Sequence, residues 1–334
     1  MKILEFTRLY YPHVGGVEKQ VEELNKKLVK KGLRVVVLTE KYDDSLKDME
    51  TIDGVSIVRM SYLKIRYFGL INVWVWIFKN RKIITDADII HTHGVFIWYW
   101  PFRFLFPRKP IYTTFHGWEG TYPIPAKNIL IRKIAAKLAW KNITIGEFVR
   151  KHYGIKSDKT IYTSVDTPLR KEGKKERKRL LYVGRLDKDT GLRRILNSLN
   201  YLKGYQIDFC GDGPLADECS KYGKVHGFVD PTPFFEKAEI CLSPGHTSIL
   251  EAFSHKCLVI TTYNNPVKKD YLLMTPFAKW MAVEKTPKKM AERIRYYSKH
   301  PEEAKPMIEA AYEWVKTQNW EAGVDMYLEL WEAK

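Results

Sequence analysis

An alternation of apolar runs and helical spacing, played through once, halted and then begun again, constrains this chain most. Residues 3–6 read as a strand, Tyr11-Pro12-His13-Val14-Gly15-Gly16 as a turn-rich loop, and 17–31 as a helix. Within that helix Val17, Val21, Leu24 and Leu28 fall on one face, with Glu and Lys on the other. Gly32 stands where a helix C-cap belongs. Residues 33–38 are almost continuously apolar, as a strand covered on both faces would be. The result is a β-loop-α-β unit with its glycines between the first strand and the helix. Strand patterns follow at 55–60, 89–90, 111–115 and 142–145, and a helical one from about 125 to 140. Such alternation specifies a parallel sheet with helices on both faces.

Residues 170–179 contain no core-forming side chain and read as a solvated linker or a surface approach to the next strand. The pattern then restarts, with strands at 179–183, 206–210, 225–229, 240–242 and 258–261 and a helix over 195–202. A chain of 334 residues exceeds one ordinary core. The expected fold class is therefore α/β, with two Rossmann-like doubly wound domains facing across a cleft. The expected domains are 1–166 and 179–316, joined by a basic linker at 167–178. The aromatic-rich helix pattern within 317–334 is expected to pack back on the first domain. Ligands of open α/β sheets bind at the carboxyl ends of the strands.

Charge narrows the partners without choosing one. Lys and Arg outnumber Asp and Glu by 56 to 39, a net +17, which favours nucleic acid, an acidic membrane or phosphorylated substrates. The four cysteines, Cys210, Cys219, Cys241 and Cys257, form no C-x-x-C pair. That argues against a structural zinc site or a disulfide framework, and fits a reducing compartment. The N-terminus reads directly as a strand and lacks a signal-peptide core, so a cytoplasmic location is expected. The longest apolar stretch, 70–78, is too short to span a bilayer. Residues 61–85 lack acidic side chains, and Lys64, Arg66, Lys79, Arg81 and Lys82 flank Tyr67, Phe68, Trp74, Trp76 and Phe78. The segment 62–82 reads as an interfacial element for an anionic membrane surface, or as a buried helix with a basic edge. Without a recognised nucleic-acid fold, nucleic acid is not expected as a partner.

Chemistry concentrates at predicted strand ends. Ser243-Pro244-Gly245-His246-Thr247-Ser248-Ile249-Leu250-Glu251 hands a strand over to a helix. Free amides and the helix dipole favour an anion there, while Glu251 can accept from a sugar hydroxyl. The same residues also read as a capping box, Ser248 with Glu251. Gly15-Gly16 permits close backbone approach, but it is not a G-x-G-x-x-G fingerprint, which counts against NAD. Arg185, after Gly184, suits a phosphate; a surface pair with Asp187 or Asp189 is the competing reading. His116, beside Gly117, suits hydrogen bonding to a substrate or a structural role. His91-Thr-His93 resembles a ligand pair, but no third ligand stands at a telling distance, so no metal is expected.

Taken in order, these segments resemble the family-4 glycosyltransferases of the GT-B architecture, nearly from end to end. Tyr11-Pro-His-Val-Gly-Gly-Val-Glu18 is similar to that family's N-terminal glycine loop, and Thr114-Phe-His-Gly117 to its His-containing strand end. Val183-Gly-Arg-Leu186 and Cys210-Gly-Asp-Gly-Pro214 resemble the first strand ends of its donor domain. His226-Gly-Phe-Val229 resembles the loop that meets the base, and Leu250-Glu-Ala252 the end of its E-x7-E motif. The resemblance implies retaining transfer of a hexose from a UDP- or GDP-sugar, without metal or cofactor. It assigns the transferred sugar to His116, the diphosphate to Arg185 and the ribose hydroxyls to Glu251. Donor binding would involve Gly15, Gly16, Lys188, Gly213, Val229, His246, Thr247 and Ser248. Two departures stand out: Ser243 replaces the first glutamate of E-x7-E, and the family's lysine falls at Thr190. The acceptor would be a membrane-associated glycan or lipid, reached from the cytoplasmic face. The alternative is a non-catalytic protein that binds a sugar nucleotide or partners an active enzyme.

Overall fold

A computed structural model describes residues 1–61, 68–167 and 173–332. Lys64, Arg66 and Tyr67 of the basic aromatic segment, and 168–172 of the linker, lie outside the described residues. The chain divides into two compact units: Met1–Glu119, Pro123–Ile161 and Trp320–Lys334 form one, and Gly120–Tyr122 with Tyr162–Asn319 the other.

The first unit runs β1 (Lys2–Thr7), α1 (Gly16–Lys30), β2 (Arg34–Glu40), β3 (Met49–Ile52), β4 (Val55–Met60), α2 (Gly69–Lys79), α3 (Lys82–Thr85), β5 (Ile89–His93), α4 (Phe96–Leu105), β6 (Ile111–Phe115), α5 (Ala126–Leu138), β7 (Lys141–Ile145), α6 (Phe148–Tyr153) and β8 (Lys159–Ile161). Its sheet has the order β3-β4-β2-β1-β5-β6-β7-β8. All pairings are parallel except β3 with β4, a hairpin edge. In β1, Ile3, Leu4 and Phe6 are fully buried, as a central strand covered on both faces requires.

The second unit runs β9 (Glu176–Val183), α7 (Leu192–Leu199), β10 (Gln206–Cys210), α8 (Ala216–Ser220), β11 (Lys224–Val225), α9 (Thr232–Lys237), β12 (Ala238–Cys241), α10 (His246–Ser254), β13 (Leu258–Thr262), α11 (Pro266–Leu273), β14 (Met281–Glu284), α12 (Pro287–Lys299) and α13 (Pro301–Val315). The sheet order is β11-β10-β9-β12-β13-β14, parallel throughout. The last helix, α14 (Trp320–Glu332), belongs to the first unit. There Trp320, Val324, Tyr327, Leu330 and Trp331 join Val21, Leu24 and Leu28 of α1 in one core. Lys27–Glu321 and Lys31–Asp325 pairs rim the contact.

Three expectations change. The strand expected over 225–229 stops at Val225, because Gly227 turns the chain with φ +70°. β9 begins at Glu176, not 179, since its first charged residues are exposed and the Lys178 N–H donates to the Glu239 carboxylate. The capping box does not form. α10 starts at His246 with Gly245 as N-cap, and the Ser248 hydroxyl donates back to the Gly245 carbonyl at 3.2 Å.

Candidate functional site

In the second unit, the strand-end loops are laced together by backbone. Gly184 N–H donates to Cys210 O, Leu186 N–H to Asp212 O, and Leu215 N–H to Leu186 O. The approach is so close that a Cβ on Gly211 would lie 2.0 Å from the Gly184 oxygen, and one on Gly213 2.6 Å from that of Leu186. Only glycine fits at these two positions. Gly211 N–H also donates to Gly227 O, which holds the loop carrying Val229 beside them. Phe228 and Val229 themselves are exposed.

Pro244 closes the same ensemble: a Cβ on Gly184 would meet its ring at 2.8 Å. α10 then begins, with Gly245 as its N-cap. Arg185, more than half exposed, pairs with Asp189 at 2.6 Å and Asp187 at 3.6 Å. This is the surface pairing anticipated as the rival to a phosphate contact, and an anion must compete with it. Lys188 is exposed on a short 3₁₀ turn, Lys188–Thr190. Thr190 is buried, its hydroxyl donating to Asp187 O at 2.6 Å.

The helix entry divides its residues by role. Ser243 is fully buried and donates to Ser248 O at 3.1 Å, so its hydroxyl serves the turn. His246 lies flat on Tyr271, centroids 3.9 Å apart and planes 7° apart. Its N–H donates to the Tyr271 hydroxyl, and its Nε2 donates to Tyr271 O at 2.9 Å. Burial pushes its pKa down to about 3, so the ring is neutral. Thr247 and Glu251 are partly buried, Glu251 in the middle of α10. Sequence reasoning missed Lys268 on α11, which is 5% exposed. Its ammonium donates to Pro244 O and lies 4.7 Å from the centre of the Tyr271 ring. A Lys-Lys-Asp run ordinarily reads as surface, so nothing in the sequence marked it.

The first unit gathers a polar cluster at the carboxyl ends of β1, β5 and β6. Gly15 caps α1 and Gly16 opens it. The Glu18 carboxylate folds over Gly15, where an added Cβ would meet Oε2 at 2.2 Å. His116 follows β6, and its Nε2 lies 3.0 Å from His93 Nδ1. His93 Nε2 lies 3.6 Å from Glu5 Oε2, which accepts from Asn25 at 2.7 Å. Glu5 is wholly buried, and its presence in an apolar strand was the signal that could have found this chain of contacts. Burial first, then His93 and Arg132, holds the His116 pKa well below the usual range. The Glu5 carboxylate nearest His93 Nε2 favours a proton there, which leaves Nδ1 to accept. His116 then donates from Nε2 and keeps Nδ1 as an acceptor. Arg132 fixes the following loop, donating to Gly117 O at 2.9 Å and pairing with Glu119.

Glu5 is also the third metal-capable donor that spacing hid, for its oxygen and the His91 and His93 nitrogens all lie within 4.8 Å. The two rings stack at 4.4 Å with planes 17° apart. His91 Nε2 lies 2.8 Å from the Thr114 hydroxyl, so that nitrogen is already engaged in a hydrogen bond.

The model for Glycosyltransferase Family 4 matches residues 14–167. No curated protein matches the sequence significantly. Among solved structures, the chain is similar to sucrose-phosphate synthase from Thermosynechococcus elongatus, with 16% identity, 100% of both chains covered and a TM-score of 0.77. It is similar to a glycosyltransferase from Rickettsia africae ESF-5, at 19% identity, with 99% of this chain and 97% of that one covered and a TM-score of 0.71. A mutant of S. aureus TarM in complex with fondaparinux, alpha-GlcNAc-glycerol and UDP matches at 11% identity, 99% and 100% coverage and a TM-score of 0.72. At such identities the likeness is one of fold, the two-sheet α/β fold of GT-B glycosyltransferases. With the family match on the N-terminal part, the resemblance to a divergent family-4 glycosyltransferase holds.

Proposed function

We propose that this protein transfers a hexose from a UDP- or GDP-sugar to a membrane-associated glycan or lipid acceptor, with retention of configuration. The observation that carries the reading is the laced turn of the second unit, where Gly184-Arg185, Gly211–Gly213 and the start of α10 meet. Such a transfer depends on stabilising the departing diphosphate and positioning the acceptor more than on a strong base. Arg185 supplies a cation once it exchanges Asp189 for phosphate oxygens, with Lys188 exposed close by in the chain. Gly213, Thr247 and Ser248 lend backbone, and the buried His246 shapes the turn from below. The backbone at Val229 holds the base and Glu251 the ribose. His116 accepts from a hydroxyl of the transferred sugar, and the amides of Gly15 and Gly16 approach the diphosphate or acceptor.

A location on the cytoplasmic face of an anionic membrane draws support from α2. Among the described residues no helix is long and apolar enough to cross a membrane. Yet Phe68, Ile71, Val75 and Phe78, at helical spacing, are each about half exposed. Exposed Lys79, Arg81 and Lys82 follow them, a composition that suits an interfacial helix.

The test is incubation with a panel of nucleotide sugars, scoring hydrolysis, transfer and product anomeric configuration. Arg185→Ala should lower turnover by about a hundredfold or more. Absence of binding, hydrolysis and transfer with every donor would sink the reading. The burial of Ser243, whose hydroxyl serves the turn, favours a second reading, a sugar-nucleotide-binding protein without turnover. Saturable UDP or GDP binding with no transfer in any acceptor extract selects that reading, and transfer by pure protein excludes it.

A further inference from the structure

Lys268 stands out among the buried groups of the second unit. Its side chain crosses from α11 to the turn before α10, where the ammonium is bound to the Pro244 carbonyl and faces the ring of Tyr271. It makes no ion pair with any described residue, although Asp189 and Arg185 are near enough for their charges to act on it. A lysine sealed from water without a carboxylate is unfavourable by itself. Here the ammonium has neighbours that suit an anion. Pro244 touches Gly184, Arg185 follows Gly184, and Gly245, the N-cap of α10, follows Pro244. The ammonium thus sits at the turn that enters α10, and that turn packs against the loop carrying Arg185. The position where a family-4 lysine would be expected holds Thr190, buried and bonded to Asp187 O.

We propose that Lys268 is the second cation of a diphosphate subsite, acting from α11 in place of the lysine absent at 190. The inference rests on the donor site assigned above. An incoming diphosphate takes Arg185 from Asp189 and meets the ammonium at the Pro244 turn, where it supplies the counter-charge that the free protein lacks.

The experiment is calorimetric titration of the full chain with UDP and GDP, and with uridine and guanosine, which lack the diphosphate. Wild type is compared with Lys268→Met, which keeps length and apolar packing, and each unliganded melting temperature is recorded. The expected result is a tenfold to hundredfold loss of UDP or GDP affinity in Lys268→Met, the span of a lost charged hydrogen bond. Nucleoside affinity stays unchanged, and the melting temperature is equal or higher. Lys268→Arg should retain more diphosphate affinity than Lys268→Met. Unchanged UDP and GDP binding in Lys268→Met overturns the proposal while leaving the donor site standing. A lower melting temperature with parallel loss of nucleoside binding overturns it as well, and makes Lys268 a clamp for the turn. Wild type that binds no nucleotide removes the donor site, and the proposal falls with it.

Discussion

His93 stands between Glu5 and His116, and the three side chains must agree on where their protons sit. Removing the middle one leaves a wholly buried carboxylate facing no imidazole. His93→Ala should destabilise the protein by roughly 2–4 kcal/mol, read by urea denaturation. Under the proposed role it should lower kcat more than it raises KM, because His116 loses the partner that fixes its tautomer. Lys268 offers the opposite case, a charge whose removal helps the free protein. Burial lowers its pKa from the ordinary value to about 8, with Asp189 opposing and Arg185 assisting the shift. The other polar groups packed against it are His246, neutral, and Tyr271, whose pKa burial raises. The unfolded chain holds the proton to about 10.5, so between about 8 and 10.5 it binds more protons than the folded protein, and stability rises with pH. The full relief is roughly 3 kcal/mol. Denaturation of wild type and Lys268→Met across this window should show the difference between them constant below pH 8 and shrinking above it.

At the scale of elements, α10 and α2 each carry two demands on one short helix. α10 needs a tight entry, and Gly245 supplies it, which pulls the helix start back past Ser248 and dissolves the capping box. The sequence motif for a cap was present, but local hydrogen bonding of Ser248 to the preceding turn won. α2 buries Val73 and Ile77, and the Trp74 indole donates to Ile97 O at 2.9 Å. Its other side leaves Phe68, Ile71, Val75 and Phe78 exposed. The buried-helix and interfacial readings of this stretch therefore fall on opposite faces of one helix. Replacing Ile71, Val75 and Phe78 together with Ser should weaken flotation with anionic liposomes severalfold. Stability should change little, because exposed side chains contribute within about 0.5 kcal/mol each. Flotation equal with neutral and anionic vesicles, or absent in wild type, would discard the membrane role.

For the whole molecule, the chain's end matters as much as its beginning. α14 follows the second unit in sequence yet completes the core of the first, with Trp331 edge-on to His91 at 5.6 Å. Trp331→Ala should cost about 3–5 kcal/mol, the range for emptying a large aromatic site. Hydrogen exchange should show the loss in β1, β5 and α1, with β9 to β13 protected as before. Equal loosening of both units would contradict that assignment.

The sequence by itself determined the two parallel sheets, most strand positions and the order of the strand-end motifs, because apolar periodicity and glycine placement act over a few residues. It hid β3, β8 and β14, short edge strands of weak pattern, and it overran at 225–229, where Gly227 turns the chain. It named Arg185, His116 and the helix entry at Ser243. It could not name Lys268, Glu5 or Asn25 as their neighbours. Those residues sit far off in sequence, on α11, β1 and α1, and their burial depends on what packs against them. Only the tertiary structure decided that a lysine ordinarily left in water lies against Pro244, and that a glutamate in an apolar strand lies beside His93. Local pattern reports which face of an element is apolar; which polar groups are sealed together beneath it depends on contacts between distant segments, which no local period records.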